Sequence, residues 1–201
     1  NLALGYAALT SSTTASNNVA VGKSSLYANT TGTSNTAVGT DSLTANTTGV
    51  NNTAVGYNAG TAVTTGIYNT LIGSLAGDAL TDADYNVAVG TQALSLDTQG
   101  SRSVAIGHAV LQSQNFTSAT NTYNTAVGFS AGEAVTTGVQ NTIIGGLAGD
   151  ALTTGSNNVV VGAFALSTDD LGSFNVALGY NALSAMNFAS ATDSYNTAVG
   201  G

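Results

Sequence analysis

The feature that most constrains this chain is a five-residue frame, Asn52-Thr53-Ala54-Val55-Gly56, whose relatives recur from the first residue to the last. Copies begin at Asn1, Asn18, Asn35, Asn52, Asn69, Asn86, Ser103, Asn124, Asn141, Asn158, Asn175 and Asn196. Nine of the eleven steps between them are seventeen residues and two are twenty-one. A period this short, kept over the whole chain, predicts an all-β solenoid in which each repeat is one turn of the coil and touches only its neighbours. Residues 1–201 are therefore expected to form one continuous elongated segment without an internal domain boundary.

With the leading Asn as position one, position four is aliphatic in every copy (Leu4, Val21, Val38, Val55, Ile72 and so on to Val199) and position five is always Gly. A β-leaning run closed by Gly reads as a short strand ending where the backbone needs positive φ or a close approach. Position eight is small, and position nine is Leu (Leu9, Leu26, Leu43, Leu94) or Gly (Gly60, Gly77, Gly132, Gly149); we expect a second short strand there. Thr-Thr-Gly, as in Thr30-Thr31-Gly32 and Thr136-Thr137-Gly138, supplies the turn back. Two strands and two turns make a coil, and stacked coils pair as parallel strands about 4.7–4.9 Å apart, which gives a rod of roughly 50 Å. The leading Asn, repeated in every coil but one, is placed to form a ladder of hydrogen bonds along the rod.

A longer period is superposed. Residues 52–123 match residues 124–195, so that Ala62-Val63-Thr64-Thr65-Gly66 returns as Ala134-Val135-Thr136-Thr137-Gly138. Each 72-residue unit ends with the longer step, and the added length falls in two matching loops, 115–120 and 187–192. Segmental duplication accounts for both.

Order is predicted despite a surface rich in Asn, Thr, Ser and Gly, because disordered segments lack this regular aliphatic spacing. Trp and Cys are absent, which removes disulfides and thiolate metal sites. Lys23 and Arg102 are the only cations against ten acids, a net charge of −8 that disfavours nucleic acid and anionic membrane surfaces as partners. No apolar run is long enough to span a membrane, and no membrane insertion is expected. The chain starts without Met and stops inside a repeat, at Gly200-Gly201, as a segment of a longer protein does.

Within Thr53-Ala54-Val55-Gly56 the side chains of Ala54 and Val55 point to opposite faces, and position three is apolar throughout, as in Leu71, Ile143 and Val160. A strand apolar on both faces is buried on both. One face is the coil interior; the other calls for a partner along the whole rod, and a parallel, in-register homo-oligomer meets that need.

The Asn-Thr-Ala-Val-Gly frames and Ser103-Val104-Ala105-Ile106-Gly107 resemble the head repeat of YadA-like trimeric autotransporter adhesins, whose signature is a Ser/Asn-Val-Ala-Ile-Gly strand once per coil. The resemblance covers essentially the whole chain and extends to bacteriophage tail fibres with similar repeats. It implies a left-handed parallel β-roll, a homotrimer with the inner strands around a three-fold axis, and an exposed adhesive or fibrous role. Family repeats are usually a few residues shorter, and longer outer turns account for the difference. No membrane-anchor barrel, coiled-coil stalk or neck motif is seen in this sequence.

The candidate chemistry is thin. His108, the only His, occupies position six beside Tyr6, Lys23, Tyr57, Phe129 and Tyr180 of other coils and reads as a surface residue rather than a base with partners. Asp82, Asp84, Asp169 and Asp170 read as solvated turn residues rather than a Ca²⁺ loop, since no EF-hand or glycine-aspartate nonapeptide pattern is present. Gly145-Gly146-Leu147-Ala148-Gly149 lacks the Lys of a phosphate loop. Asn29, Asn46, Asn51 and Asn115 head Asn-x-Ser/Thr triplets, which so Asn- and Thr-rich a chain produces by chance. Asn115, Phe116 and Tyr123, with Asn187, Phe188 and Tyr195, lie in or beside the two enlarged loops; they offer contacts for a sugar or protein, or else each Phe tucks under its own loop.

The expectation is a non-enzymatic, structural and adhesive segment of an extracellular trimeric fibre, on a bacterial surface or a virion. It needs no cofactor or metal, and its partners are its own copies and a host-surface glycan or protein. Two alternatives are weighed against it. One is a monomeric Thr-rich solenoid binding ice or polysaccharide; the other, a sugar-degrading β-helix enzyme, lacks the clustered acids it would need.

Overall fold

The computed structural model describes residues 1–188 and 190–201. One parallel sheet of twelve three-residue strands runs the length of the chain: β1 (Leu2–Leu4), β2 (Val19–Val21), β3 (Thr36–Val38), β4 (Thr53–Val55), β5 (Thr70–Ile72), β6 (Val87–Val89), β8 (Val104–Ile106), β10 (Thr125–Val127), β11 (Thr142–Ile144), β12 (Val159–Val161), β14 (Val176–Leu178) and β16 (Thr197–Val199). Their order in the sheet is their order in the chain, and every pairing is in register, position two on position two and four on four. The fold is thus a parallel β-solenoid of about twelve coils, one per frame. Two small sheets, β7 (Gly100–Ser101) with β9 (Thr120–Asn121) and β13 (Gly172–Ser173) with β15 (Thr192–Asp193), occur only where the coil is enlarged.

The second strand expected at positions eight and nine is a stacked turn instead. Positions seven and nine are both left-handed, as in Ser24 (φ 55°) and Leu26 (φ 50°), or Asp41 (φ 56°) and Leu43 (φ 47°). The Ser24 amide donates to the Tyr6 carbonyl of the preceding coil at 2.8 Å, whereas the Leu26 amide donates to the Ser42 carbonyl of the following one at 3.1 Å. Holding a Leu in this region costs about 1–2 kcal/mol, and the arrangement recoups it with backbone bonds and with burial of the same Leu.

Gly at position five is required twice over. Gly56 has φ 141°, and a Cβ there would sit 2.5 Å from the Gly73 carbonyl oxygen of the next coil. In Thr-Thr-Gly the Gly is not a positive-φ residue; at Gly49 a side chain would collide with the Gly66 carbonyl and the Asn46 side chain, so close stacking selects it.

The core is a thin column inside the coils. Position three (Ala20, Ala37, Ala54, Leu71, Ala88, Ile143) and position nine (Leu26, Leu43, Leu94, Leu111, Leu166) are buried. Their sizes compensate. Where position nine is Gly, position three of that coil or the next is Leu71 or Ile143, and a Cβ on Gly60 or Gly77 would lie 2.6–2.8 Å from Leu71 methyls. Position twelve changes in step, from Asn29 and Asn46 beside Leu coils to Val63, Leu80, Val135 and Leu152 beside Gly coils. Bulk absent at position nine is thus supplied at positions three and twelve, as close packing demands.

The leading Asn forms the expected ladder, inside the coil. Asn18 Oδ1 accepts the Asn35 amide and Asn18 Nδ2 donates to the Gly32 carbonyl, both at 2.8 Å; the same pair of bonds recurs at Asn35 and Asn52.

Candidate binding surfaces

Three surfaces are exposed enough to meet a partner. The first is the outward side of the long sheet. Position three points inward, so positions two and four point out, and position four forms an apolar row in which Ile106 is 38% and Ile144 is 40% exposed. Thr36, Thr53 and Thr70 stand beside this row on three successive strands, and Thr125 and Thr142 on two more.

The second surface is the pair of enlarged loops, where the predicted contact residues separate into two kinds. Asn115 and Tyr123 are exposed, as are Asn187 and Tyr195. Phe116 is only 8% exposed and offers no free ring face, which is the tucked arrangement; Phe188 is half-buried. Beneath the first loop lies a buried polar cluster that no repeat pattern marks. Asp97 Oδ1 accepts the amides of Gly100 and Phe116, both at 3.0 Å, and Asp97 Oδ2 accepts from Gln114 Nε2 at 2.6 Å. Gln114 also donates to Ser103 Oγ at 3.0 Å and accepts from Asn124 Nδ2 at 2.8 Å. Ser103, the one frame without Asn, is thereby bridged: its short side chain cannot continue the ladder, and Gln114 and Thr122 fill the gap.

The third surface is a column of large residues at position seventeen, just before each strand. Tyr68 and Tyr85 stack at 5.2 Å with an interplanar angle of 4°. Arg102 follows, its Cζ 4.8 Å from the Tyr85 ring centroid and 6.0 Å from that of Tyr123. Further along, Phe174 stacks on Tyr195 at 5.0 Å. Position seventeen is left-handed throughout (Tyr85 φ 59°, Arg102 φ 66°), which turns these side chains outward. A sequence signal existed in the recurrence of Tyr at one offset, but it was masked by the Asn and Ser of neighbouring coils.

His108 is exposed and stacks on Phe129 at 5.3 Å. Of the acids expected to be solvated turn residues, Asp82 is exposed, Asp84 caps the Ile67 amide through Oδ1 at 2.8 Å, and Asp169 is fully buried because position twelve faces inward. Asp78 and Asp150, at position ten, have carboxyls pushed above the usual range by burial; the neighbouring Glu133 raises Asp150 further. Asn29 and Asn46 are buried, which closes those two triplets to modification. Among the described residues there is no enclosed pocket and no group of three metal-ligating side chains.

No family model matches this chain, and neither the curated proteins nor the solved structures contain a significant match to it.

Proposed function

We propose that the chain is a structural and adhesive segment of an extracellular homotrimeric fibre, with three solenoids in register and the outward sides of their long sheets turned toward a common axis. One observation carries this reading: the aliphatic row at position four is half-exposed and unbroken along the sheet. A strip of roughly 50 Å by 10 Å, from the strand spacing and the rise of three-residue strands, offers about 500 Å² per chain, so residues flanking the strands contribute the rest of the ~800 Å² per partner of a stable interface. The fibre acts without catalysis. A stiff rod repeats weak contacts to a host-surface glycan or protein on three sides and along its length, and multivalency converts them into firm attachment. A bacterial surface and a virion both suit such a segment.

Adhesion is the test. Beads coated with the protein should bind target cells, and the triple change Ile72→Glu, Ile106→Glu and Ile144→Glu should abolish binding by separating the chains while circular dichroism still reports the coil. Equal binding by wild type and the separated triple variant would overturn the trimeric mechanism.

A second reading is supported by Thr36, Thr53 and Thr70, which stand in register on the flat outward side. A monomer presenting that row would bind ice or an ordered polysaccharide. In the Thr-Thr-Gly turns, by contrast, the first hydroxyl of each pair is engaged along the stack, as in Thr30 Oγ1 donating to the Thr47 carbonyl at 3.1 Å. Thermal hysteresis from a purified monomer would favour this reading.

A further inference from the structure

We infer that Arg102, with Tyr85, Asn121 and Tyr123, forms a binding site for a carboxylate-bearing sugar unit, such as a hexuronic acid in a surface polysaccharide. Its biological use rests on the adhesive reading above; its chemistry rests on local geometry.

Arg102 is one of two cations in the chain. Its guanidinium lies between the rings of Tyr85 and Tyr123, and Tyr85 is itself held by Tyr68. A guanidinium already confined by two rings gives up little further rotamer freedom on binding, unlike an ordinary surface cation. Its Nε donates to Asn121 Oδ1 at 2.9 Å, which fixes the plane. That is its one side-chain hydrogen bond among the described residues, so both Nη groups remain free. Asp84, whose backbone carbonyl accepts the Arg102 amide at 3.0 Å, turns its carboxylate to the Ile67 amide.

A free Nη edge matches a carboxylate as a two-point fork. Asn121 Nδ2 remains free to donate beside it, and the exposed Tyr85 and Tyr123 carry phenol hydroxyls that suit the hydroxyls of a sugar ring. One face of Tyr85 is covered by Tyr68 and the other by Arg102, so that ring offers no platform to a neutral sugar. The charge of −8 is distributed over the whole rod, and beyond about 8 Å it is screened at physiological ionic strength.

The duplicated unit supplies an internal control. The residues 72 positions on from Tyr85, Arg102, Asn121 and Tyr123 are Asn157, Phe174, Asp193 and Tyr195. There the column is kept by Phe174 stacked on Tyr195, while the cation is gone and an acid has replaced Asn121. Stacking alone therefore does not require Arg at this position, and the charge has a separate use.

Arg102 is the only Arg, so its Nε–H gives one assignable resonance in the ¹⁵N-labelled protein. Titration with glucuronic acid should move that resonance saturably, with half-saturation in the millimolar range typical of a single weak site; glucose should leave it in place and glucose 6-sulfate should move it less. Arg102→Phe should abolish retention on a polyuronate surface without lowering the thermal midpoint. The triple change Asn157→Tyr, Phe174→Arg and Asp193→Asn should create a second responsive Arg resonance. A resonance unmoved at about 50 mM glucuronate, well past a millimolar Kd, or moved equally by glucose 6-sulfate at matched ionic strength, overturns the site. Particle mass on the same sample separates the two ideas: saturation on a monomer keeps the site and discards the fibre, whereas no response on a trimer discards the site alone.

Discussion

The two enlarged coils carry the same backbone insertion on different interiors. Under the first loop, Asp97, Ser103, Gln114, Thr122 and Asn124 form a closed buried network. Under the second, Gln114 is replaced by Met186 and Ser103 by Asn175; Asn196 Nδ2 meets the Met186 sulfur at 3.1 Å, and Asp169 Oδ2 has no partner among the described residues. The Asn ladder, broken at Ser103, runs through Asn175, whose Oδ1 accepts the Asn196 amide at 3.1 Å and the Ser194 hydroxyl at 2.8 Å. An insertion of four residues can thus be stabilised either by a satisfied polar plug or by a continued ladder beside a thioether. A buried polar group costs about 1–3 kcal/mol when left unmatched, so the first copy is the better satisfied but the less tolerant of change.

The largest effect that would break this contrast is Asp97→Ala. It orphans two amides and the Gln114 side chain and should cost about 3–5 kcal/mol, against about 1–2 kcal/mol for Asp169→Ala, read as shifts in urea midpoint. Equal costs would show that the network adds nothing specific. Phe116→Ala should follow at about 3 kcal/mol, with Phe188→Ala near 1 kcal/mol because its ring is only half-buried; reduced adhesion at unchanged stability would instead make Phe116 a contact residue. Exchanging the interiors sharpens the comparison: Gln114→Met should lose about 2 kcal/mol, and Met186→Gln should gain about 1 kcal/mol by giving Asp169 a donor.

The smallest effect concerns the raised carboxyls. An Asp whose folded pKa lies above its unfolded value binds more protons folded than unfolded between the two, so its contribution to stability falls as pH rises through that window. Burial raises both Asp78 and Asp150, and Glu133 adds only to Asp150. Asp78→Asn and Asp150→Asn should therefore each raise the thermal midpoint at pH 7, and the gain should vanish well below the ordinary carboxyl value of 3.8, where both states are protonated. A gain that persists at low pH would assign the effect to packing.

The coil length, the strand at positions two to four and the interior Asn were legible because each is enforced in every copy by backbone stacking. The turn at positions seven to nine was not, since Leu is a poor marker for left-handed backbone; the signal lay in Gly60, Gly77, Gly132 and Gly149, which share with Leu43 and Leu94 a φ of about 50–60°. The exchange of bulk between Leu71 and Gly77 was hidden in residues of different rows. The Asp97 network was not marked because Gln114, which joins Asp97, Ser103 and Asn124, stands at a row held by Asn, Val, Leu or Asp in most other coils, and its partners come from three different coils. In the first enlarged loop, hydropathy alone could not decide that Phe116 turns inward; the second, 187–192, includes a residue outside the described ones.

The most direct test of the central claim, that the outward strand face is a seam between identical chains, is the mass of the isolated segment in solution by light scattering. The account predicts three chains per particle, falling to one for the variant carrying Glu at positions 72, 106 and 144. A stable, folded wild-type monomer at micromolar concentration would contradict it and leave that face, with its Thr36-Thr53-Thr70 row, open to a different partner.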